Sequence, residues 1–336
     1  MGKLTPEELK KLLNCIERDS KVIVPPSPGF DSGVHKIRGK YLVVSTDPCL
    51  DVPLQWFGWF LTHYAASDVA LFGATPEFCT LNLLGPAGTD AEVFLKIMAQ
   101  ACKACKELGI TIVTGHTGTY KSLSTMTGTC TAYGTVTLNK LRTPADAKAG
   151  DSIICTKRLG MEIVVNLWLA HRKVAQQMFH KSRAKVLSKL VKLQSCVTDA
   201  LALSKISEVH AMHDATEGGL VAALNEMAEA SKLGFNIDYD KIPFADETHI
   251  LQQYFGLSDL QRLSMSSTGT ILAAVNPRAE KEVKKVMCGL GIETSVLGTF
   301  SKNQKRLLMK NGARLEFPQK PDDPYEEIIS RCTYAP

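Results

Sequence analysis

Three aspartates stand where a chain of this kind could gather a cation. Asp31 follows Pro28-Gly29-Phe30, Asp47 closes the run KYLVVSTD, and Asp68 sits within AASDVALFGATP. Carboxylates at strand ends and in loops are where α/β folds collect ligand groups. Two carboxylates held within ~4 Å repel by about 4 kcal/mol at an effective dielectric of 20. A Mg²⁺ ion bound by carboxylates and phosphate oxygens turns that repulsion into affinity. Taken singly, each aspartate reads first as an ordinary turn or cap residue, and composition alone does not show that the three converge.

Two glycine-containing segments could hold phosphate. GHTGTYKS (Gly115–Ser122) nearly fits the G-x-x-x-x-G-K-[ST] pattern, but Tyr120 stands where the second glycine must let backbone amides approach the phosphates, which argues against a Walker loop. A different Gly- and Thr-rich phosphate loop remains open there. In HDATEGGL (His213–Leu220), two glycines at a helix start would expose amides, with ~0.3–1 kcal/mol from the helix dipole for a nearby anion. The alternative is that Asp214 only caps and the glycines only allow close packing. His63 and His210 read as satisfied core histidines, and Trp56, Trp59 and Phe60 as a packed helix face. Cys102 and Cys105 form a lone CxxC without a second pair, so helix packing is a better reading than a metal site.

The elements that must position these residues follow from periodicity and punctuation. Thr5, Pro6 and Glu8 give a capped first helix. Lys40–Thr46 reads as a strand ending at Asp47, Leu54–Leu71 as an apolar helix, and TPEFCTLNLL as a strand closed by Gly85-Pro86. Thr89 and Glu92 form a capping box for a helix that stops at Gly109. ITIVTG is a β-branched strand running into a loop at His116–Lys121, and TMTGTCTAYGTVTL alternates as a strand. RTPADAKAGDSI is the domain boundary, giving domains 1–147 and 148–336. Beyond it come the strand DSIICTK, a mostly helical basic segment, and a helix boxed by Asp214 and Glu217 that runs to Lys232. FNIDYDKI and SSTGTILAAV are strands, a helix from Asn276-Pro277 reaches Cys288, and SVLGTF and RLLMKNGARLEF close the chain. The fold class is α/β, two domains with mixed sheets.

The 336 residues suit about two domains. Charged residues at 22% and hydrophobic residues at 45% exclude a disordered chain. No uncharged stretch is apolar for the ~20 residues of a membrane helix. The N-terminus reads as a charged amphipathic helix and not a signal peptide, so a cytoplasmic protein is expected. Ten scattered cysteines suggest reduced thiols. The net charge of +5 is local: Arg172, Lys173, Lys181, Arg183, Lys185, Lys189 and Lys192 lie in a stretch with no acid, and without them 32 basic residues face 34 acidic ones. The 172–192 segment is either a solvated helix face or a docking patch for an acidic protein partner. Nucleic acid is disfavoured, since no helix-turn-helix, RNA-recognition or zinc-finger pattern accompanies the charge.

GFDSGV (Gly29–Val34), VVSTD (Val43–Asp47), ASDVALFGATP (Ala66–Pro76) and VTGHT (Val113–Thr117) together resemble the aminoimidazole ribonucleotide (AIR) synthase superfamily, also called PurM-like. VHAMHDATEGGLVAALNEMAEASKLGFNIDYDKIPF (Val209–Phe244) resembles its HypE, or hydrogenase expression/formation, branch. The superfamily also includes selenophosphate synthetase and thiamine-monophosphate kinase. The resemblance implies an N-terminal domain whose strands build a dimeric β-barrel, a C-terminal α/β domain, and ATP with Mg²⁺ in the cleft between domains of a homodimer. It implies metal binding by Asp31, Asp47 and Asp68, and cofactor binding by these with Thr117, Asp214, Thr216, Glu217, Gly218 and Gly219. Catalysis would fall to Asp47, His116 and Lys121. The implied chemistry uses ATP to phosphorylate an oxygen of a small carboxamide, carbonyl or phosphate acceptor, with hydrogenase maturation as one version. Three departures bear on this. His116 stands where the family's G-D-T motif has aspartate, and imidazole is a poorer Mg²⁺ ligand than carboxylate. The ANEGR-like segment is MSSTG (Met265–Gly269), and Cys332 lies four residues short of the end, whereas HypE ends in cysteine. A nucleotide-binding scaffold without turnover is the alternative.

Overall fold

In a computed structural model, residues 6–17, 19–179, 186–187 and 190–333 are described. Helix α1 (Pro6–Leu13) opens the described chain, which divides into a compact unit Lys11–Leu141 and a second made of Arg142 onward with the residues up to Lys10.

The first unit holds strands β1 (Val22–Val24), β2 (Gly33–Ile37) and β3 (Lys40–Cys49), helix α2 (Phe57–Leu71), β4 (Phe78–Pro86), helix α3 (Ala91–Leu108), β5 (Thr111–Tyr120) and β6 (Thr127–Val136). They form a six-stranded sheet in the order β1-β2-β3-β6-β4-β5, antiparallel except for β4 with β5. Period-two alternation decides which face is covered. Val43, Ser45 and Cys49 of β3, Cys79, Leu81 and Leu83 of β4, and Cys130 and Ala132 of β6 are buried, while the intervening Thr129, Thr131 and Tyr133 are half-buried. Fourteen of the fifteen residues of α2 are buried, the pattern of a helix apolar all round and enclosed by protein. Gly58 permits part of this enclosure, because a Cβ there would lie 2.1 Å from the Ile97 carbonyl oxygen of α3.

The second unit comprises β7 (Ser152–Thr156), α4 (Met161–Ala170), α5 (Arg172–Met178), α6 (Val197–Leu203), β8 (Val209–Ala215), α7 (Gly219–Ser231), β9 (Gly234–Asp238), α8 (Asp246–Phe255), α9 (Asp259–Leu263), β10 (Ser267–Val275), α10 (Glu280–Gly289), β11 (Thr294–Ser301), β12 (Arg306–Lys310), β13 (Ala313–Glu316) and α11 (Tyr325–Thr333). Its seven-stranded sheet runs β13-β12-β9-β11-β7-β10-β8, antiparallel except for β12 with β9. Leu220, Leu224 and Met227 of α7 join Ile153, Cys155, Phe235 and Phe300 in one core. Each such side chain stabilises by about 1.5–3 kcal/mol relative to exposure. Both units are α/β with mixed sheets. No described helix is long and apolar enough to cross a membrane.

Several boundaries differ from the sequence reading. Asp47 lies inside β3, which continues through Pro48 to Cys49 because β6 pairs with it as far as Gly128. Helix α2 begins at Phe57 and not Leu54. Asp90, not Thr89, caps α3: its carboxylate accepts from the Glu92 amide at 2.9 Å, while the Thr89 hydroxyl donates to the Pro86 carbonyl at 2.7 Å. His116–Tyr120 is strand and not loop, held by parallel pairing with β4 from Asn82 to Pro86. His210 is satisfied, with Asp151 holding its Nδ1 at 2.8 Å, but it is half-buried and not in the core. His63 does stack on Trp59, centroids 4.0 Å apart. Cys105 packs its sulfur 3.8 Å from Cys79, in keeping with a packing role, and Cys102 is exposed. Thr5 and, from the basic segment, Lys181, Arg183, Lys185 and Lys189 lie outside the described residues.

Candidate active site

In the first unit, Asp68 is the one carboxylate on the enclosed helix α2. Only 7% exposed, it accepts a hydrogen bond from the Ser45 hydroxyl of β3 at 2.6 Å. An unsatisfied ionised carboxylate at such depth is strongly unfavourable, so the serine is what the buried group requires. Asp47 lies two residues beyond Ser45 and therefore on the same face of β3, toward α2. Its charge is felt in that layer: burial first, and Asp47 second, push the Cys49 thiol up. Asp31 is half-buried two residues before β2, whose Gly33 pairs with Val44. The oxygens of the three aspartates do not all lie within 4.8 Å of one another. An all-oxygen donor set is nonetheless the chemistry of a hard cation, and Mg²⁺ commonly takes one or two carboxylates and keeps several waters. The residues present fit Mg²⁺.

His116, Thr117 and Lys121 belong to the far edge of the same sheet. His116 is exposed, and its Nε2 lies 2.9 Å from the Tyr120 hydroxyl, four residues along one face of β5. Gly118 makes room between them, since a Cβ there would sit 3.2 Å from the Tyr120 ring. Thr117 is exposed on the opposite face, and Lys121 is exposed in the turn after the strand. The Walker reading fails here on geometry, because the residues form strand and not a loop before a helix.

In the second unit, Asp214 does not cap a helix. It is buried within β8, opposite Ile271 of β10, and α7 begins five residues later. The connection is a turn closed by the Gly219 amide donating to the Thr216 carbonyl at 2.9 Å. Gly218 and Gly219 both have positive φ, +79° and +55°, a backbone glycine adopts at little cost. Glu217 is exposed at the turn.

Sequence reasoning missed two acids around that turn, Asp323 and Glu162. Asp323 accepts from the Gly218 amide at 2.9 Å and from the Ser266 hydroxyl. Glu162, at the start of α4, accepts from the amide and hydroxyl of Thr268 at 3.0 and 2.7 Å. Burial first raises the Glu162 carboxyl to about 7; the Thr268 bonds oppose this and the charges of Glu217 and Asp323 add to it. Burial likewise raises Asp323. MSSTG had marked Ser266 and Thr268 as a segment, but nothing local marked their acidic partners.

Models of two domains match this chain: the N-terminal domain of AIR synthase related proteins over residues 29–136, and the C-terminal domain over 148–309. The chain belongs to the AIR synthase-related family, a class of two-domain, ATP-dependent enzymes. Within it, the chain is 27% identical over 286 residues to a protein of Methanocaldococcus jannaschii described as a hydrogenase expression/formation protein, covering 83% of this chain and 82% of that one. It is 25% identical over 279 residues to the carbamoyl dehydratase HypE of Rhizobium leguminosarum bv. viciae, covering 80% and 76%. The crystal structure of a hydrogenase maturation protein HypE in complex with ATP shares the fold, with a TM-score of 0.68 at 19% identity over 88% of this chain and 89% of that one.

The acidic group near the turn has a signature in stability. The folded chain holds a proton on Glu162 up to about pH 7, whereas an ordinary glutamate releases it near 4.5. Between those values the native state binds more protons, so this group lowers stability as pH rises through the window and adds no further slope above it. Thermal melts from about pH 5 to about pH 8 should show wild type losing stability relative to Glu162→Gln, by up to one proton's slope. Parallel melting curves for the two chains would contradict the assignment.

Proposed function

We propose that this protein is an ATP- and Mg²⁺-dependent enzyme that phosphorylates an oxygen of a small carboxamide, carbonyl or phosphate acceptor. The observation that carries the reading is the buried Asp68 carboxylate bonded to Ser45, with Asp47 on the same strand face. Asp31, Asp47 and Asp68 would hold Mg²⁺, which when bound neutralises phosphate charge. In the first unit Thr117 would contact phosphate, and in the second unit the Asp214–Gly219 segment, with Thr216, Glu217 and Gly218, would do so. Lys121 would contribute a cation and Asp47 a carboxylate beside the transferring group. Free ATP, Mg²⁺ and ten cysteines outside any disulfide suit a cytoplasmic setting.

A role in hydrogenase maturation is the finer form of this reading, supported by the relatives' descriptions. Against it stands Cys332, which is buried in α11 with its thiol pushed up by burial. A group carried on that sulfur would need the last helical turn to open. The second reading, a nucleotide-binding scaffold without turnover, is favoured by His116, whose imidazole is engaged by Tyr120 on an exposed strand.

We also infer a homodimer. β5 is a ten-residue edge strand exposed along nearly its whole length, including Val113 at 55%, and long open edges of this kind invite pairing.

Calorimetry should show ATP binding that requires Mg²⁺ and that Asp47→Asn weakens at least about tenfold, the loss of one charged ligand. Absence of nucleotide binding by wild type with Mg²⁺ present would refute the reading. Turnover with candidate acceptors would separate enzyme from scaffold. Val113→Lys should shift the chain from dimer to monomer in light scattering; a wild-type chain that is already monomeric would refute the dimer.

A further inference from the structure

The glycine turn ahead of α7 already holds an anion, and the chain supplies it. Residues 318–324 lie across the turn without regular secondary structure. Asn225 of α7 donates to the Pro318 carbonyl at 2.8 Å, and the Asp322 amide donates to the Ser264 hydroxyl at 3.0 Å. Pro321 sits so close to Gly218 that a Cβ on the glycine would be 2.9 Å from the proline ring. Asp323 then places one oxygen on the Gly218 amide and the Ser266 hydroxyl, and the other on the Tyr325 amide at 3.0 Å.

This seat is complete in hydrogen bonds but poor in charge. Among the described residues no lysine, arginine or histidine pairs with Asp323, while Glu162 and Glu217 lie near enough for Asp323 and Glu217 to shift Glu162. A buried carboxylate without a cation and beside like charges pays desolvation with little Coulombic return. The segment is also attached in a way that permits release. Pro318, Pro321 and Pro324 have no amide to donate, and 318–324 joins no strand ladder, so lifting it breaks side-chain contacts and no sheet.

We propose that the 318–325 segment is an autoinhibitory strap, with Asp323 occupying the place of a ligand's anionic group on the glycine turn until the segment lifts. This rests on reading Asp214–Gly219 as a phosphate-holding segment. A phosphate oxygen and the Asp323 carboxylate would compete for the same Gly218 amide and Ser266 hydroxyl, so apparent affinity is lowered by the fraction of time the strap is down.

The test uses the full chain and Mg·ATP as the probe. Asp323→Asn keeps the shape and removes the charge, and Asp323→Ala, which removes the acceptor as well, guards against a fold-specific failure of either. A strap closed nine times in ten predicts Mg·ATP binding about tenfold tighter in both variants. Hydrogen exchange on wild type should become faster at the Asp322, Asp323 and Tyr325 amides when Mg·ATP saturates the protein. Unchanged or weaker Mg·ATP binding in folded variants, or unaltered exchange at those amides, overturns the strap and leaves the nucleotide reading standing. No Mg·ATP binding by wild type or either variant overturns both.

Discussion

The packing of the first unit must accommodate one buried carboxylate. Asp68 sits on a helix whose other buried residues include no second acid, packed between a sheet and a neighbouring helix. Such a group is tolerable only when its lone pairs are satisfied. Ser45 donates to it at 2.6 Å, and that bond ties α2 to β3. The same register sets Asp47 toward the helix layer. A hydrophobic residue at position 68 would pack more simply, and the metal-binding role proposed above would account for an acid there.

The second unit solves a different problem with glycine. Strand β8 ends in the core, and α7 must start within a few residues and turn back onto the sheet. Two consecutive positive φ values make that reversal, and a Cβ on Gly219 would lie 2.4 Å from the Met265 carbonyl oxygen. The turn therefore presses against the Met265–Gly269 segment, which brings Ser266 and Thr268 to the acids Asp323 and Glu162. Burial first, and the nearby charges of Glu217 and Asp323 after it, raise Glu162 beside this turn.

Elements with strong local signals were legible in the sequence. The alternation of TPEFCTLNLL gives β4, and Gly109 stops α3 with φ +72°. The three aspartates were legible as candidates, but not the serine that holds Asp68, because Ser45 and Asp68 are 23 residues apart and only the packing of α2 joins them. Two misreadings share one cause. The D-x-x-E spacing at Asp214 is a true local cap signature, yet pairing with β10 claims the aspartate for a strand. Gly118 looks like a loop residue, yet it lies in β5 opposite Leu84, and at Gly115 in the same strand a Cβ would lie 2.2 Å from the Leu81 carbonyl oxygen. A glycine inside a strand marks close backbone approach as well as a break. Asp323 had no signal at all, since its glycine partner is 105 residues away.

The central claim is that Asp68 is kept buried to bind a divalent cation with nucleotide. Its most direct test is electron paramagnetic resonance of Mn²⁺, a spectroscopic substitute for Mg²⁺, titrated into wild type and Asp68→Asn with ATP present. The account predicts Mn²⁺ bound tightly by wild type and at least about tenfold more weakly by the variant, the loss of one charged ligand, with both chains folded by circular dichroism. Equal Mn²⁺ affinity in two folded chains would contradict it.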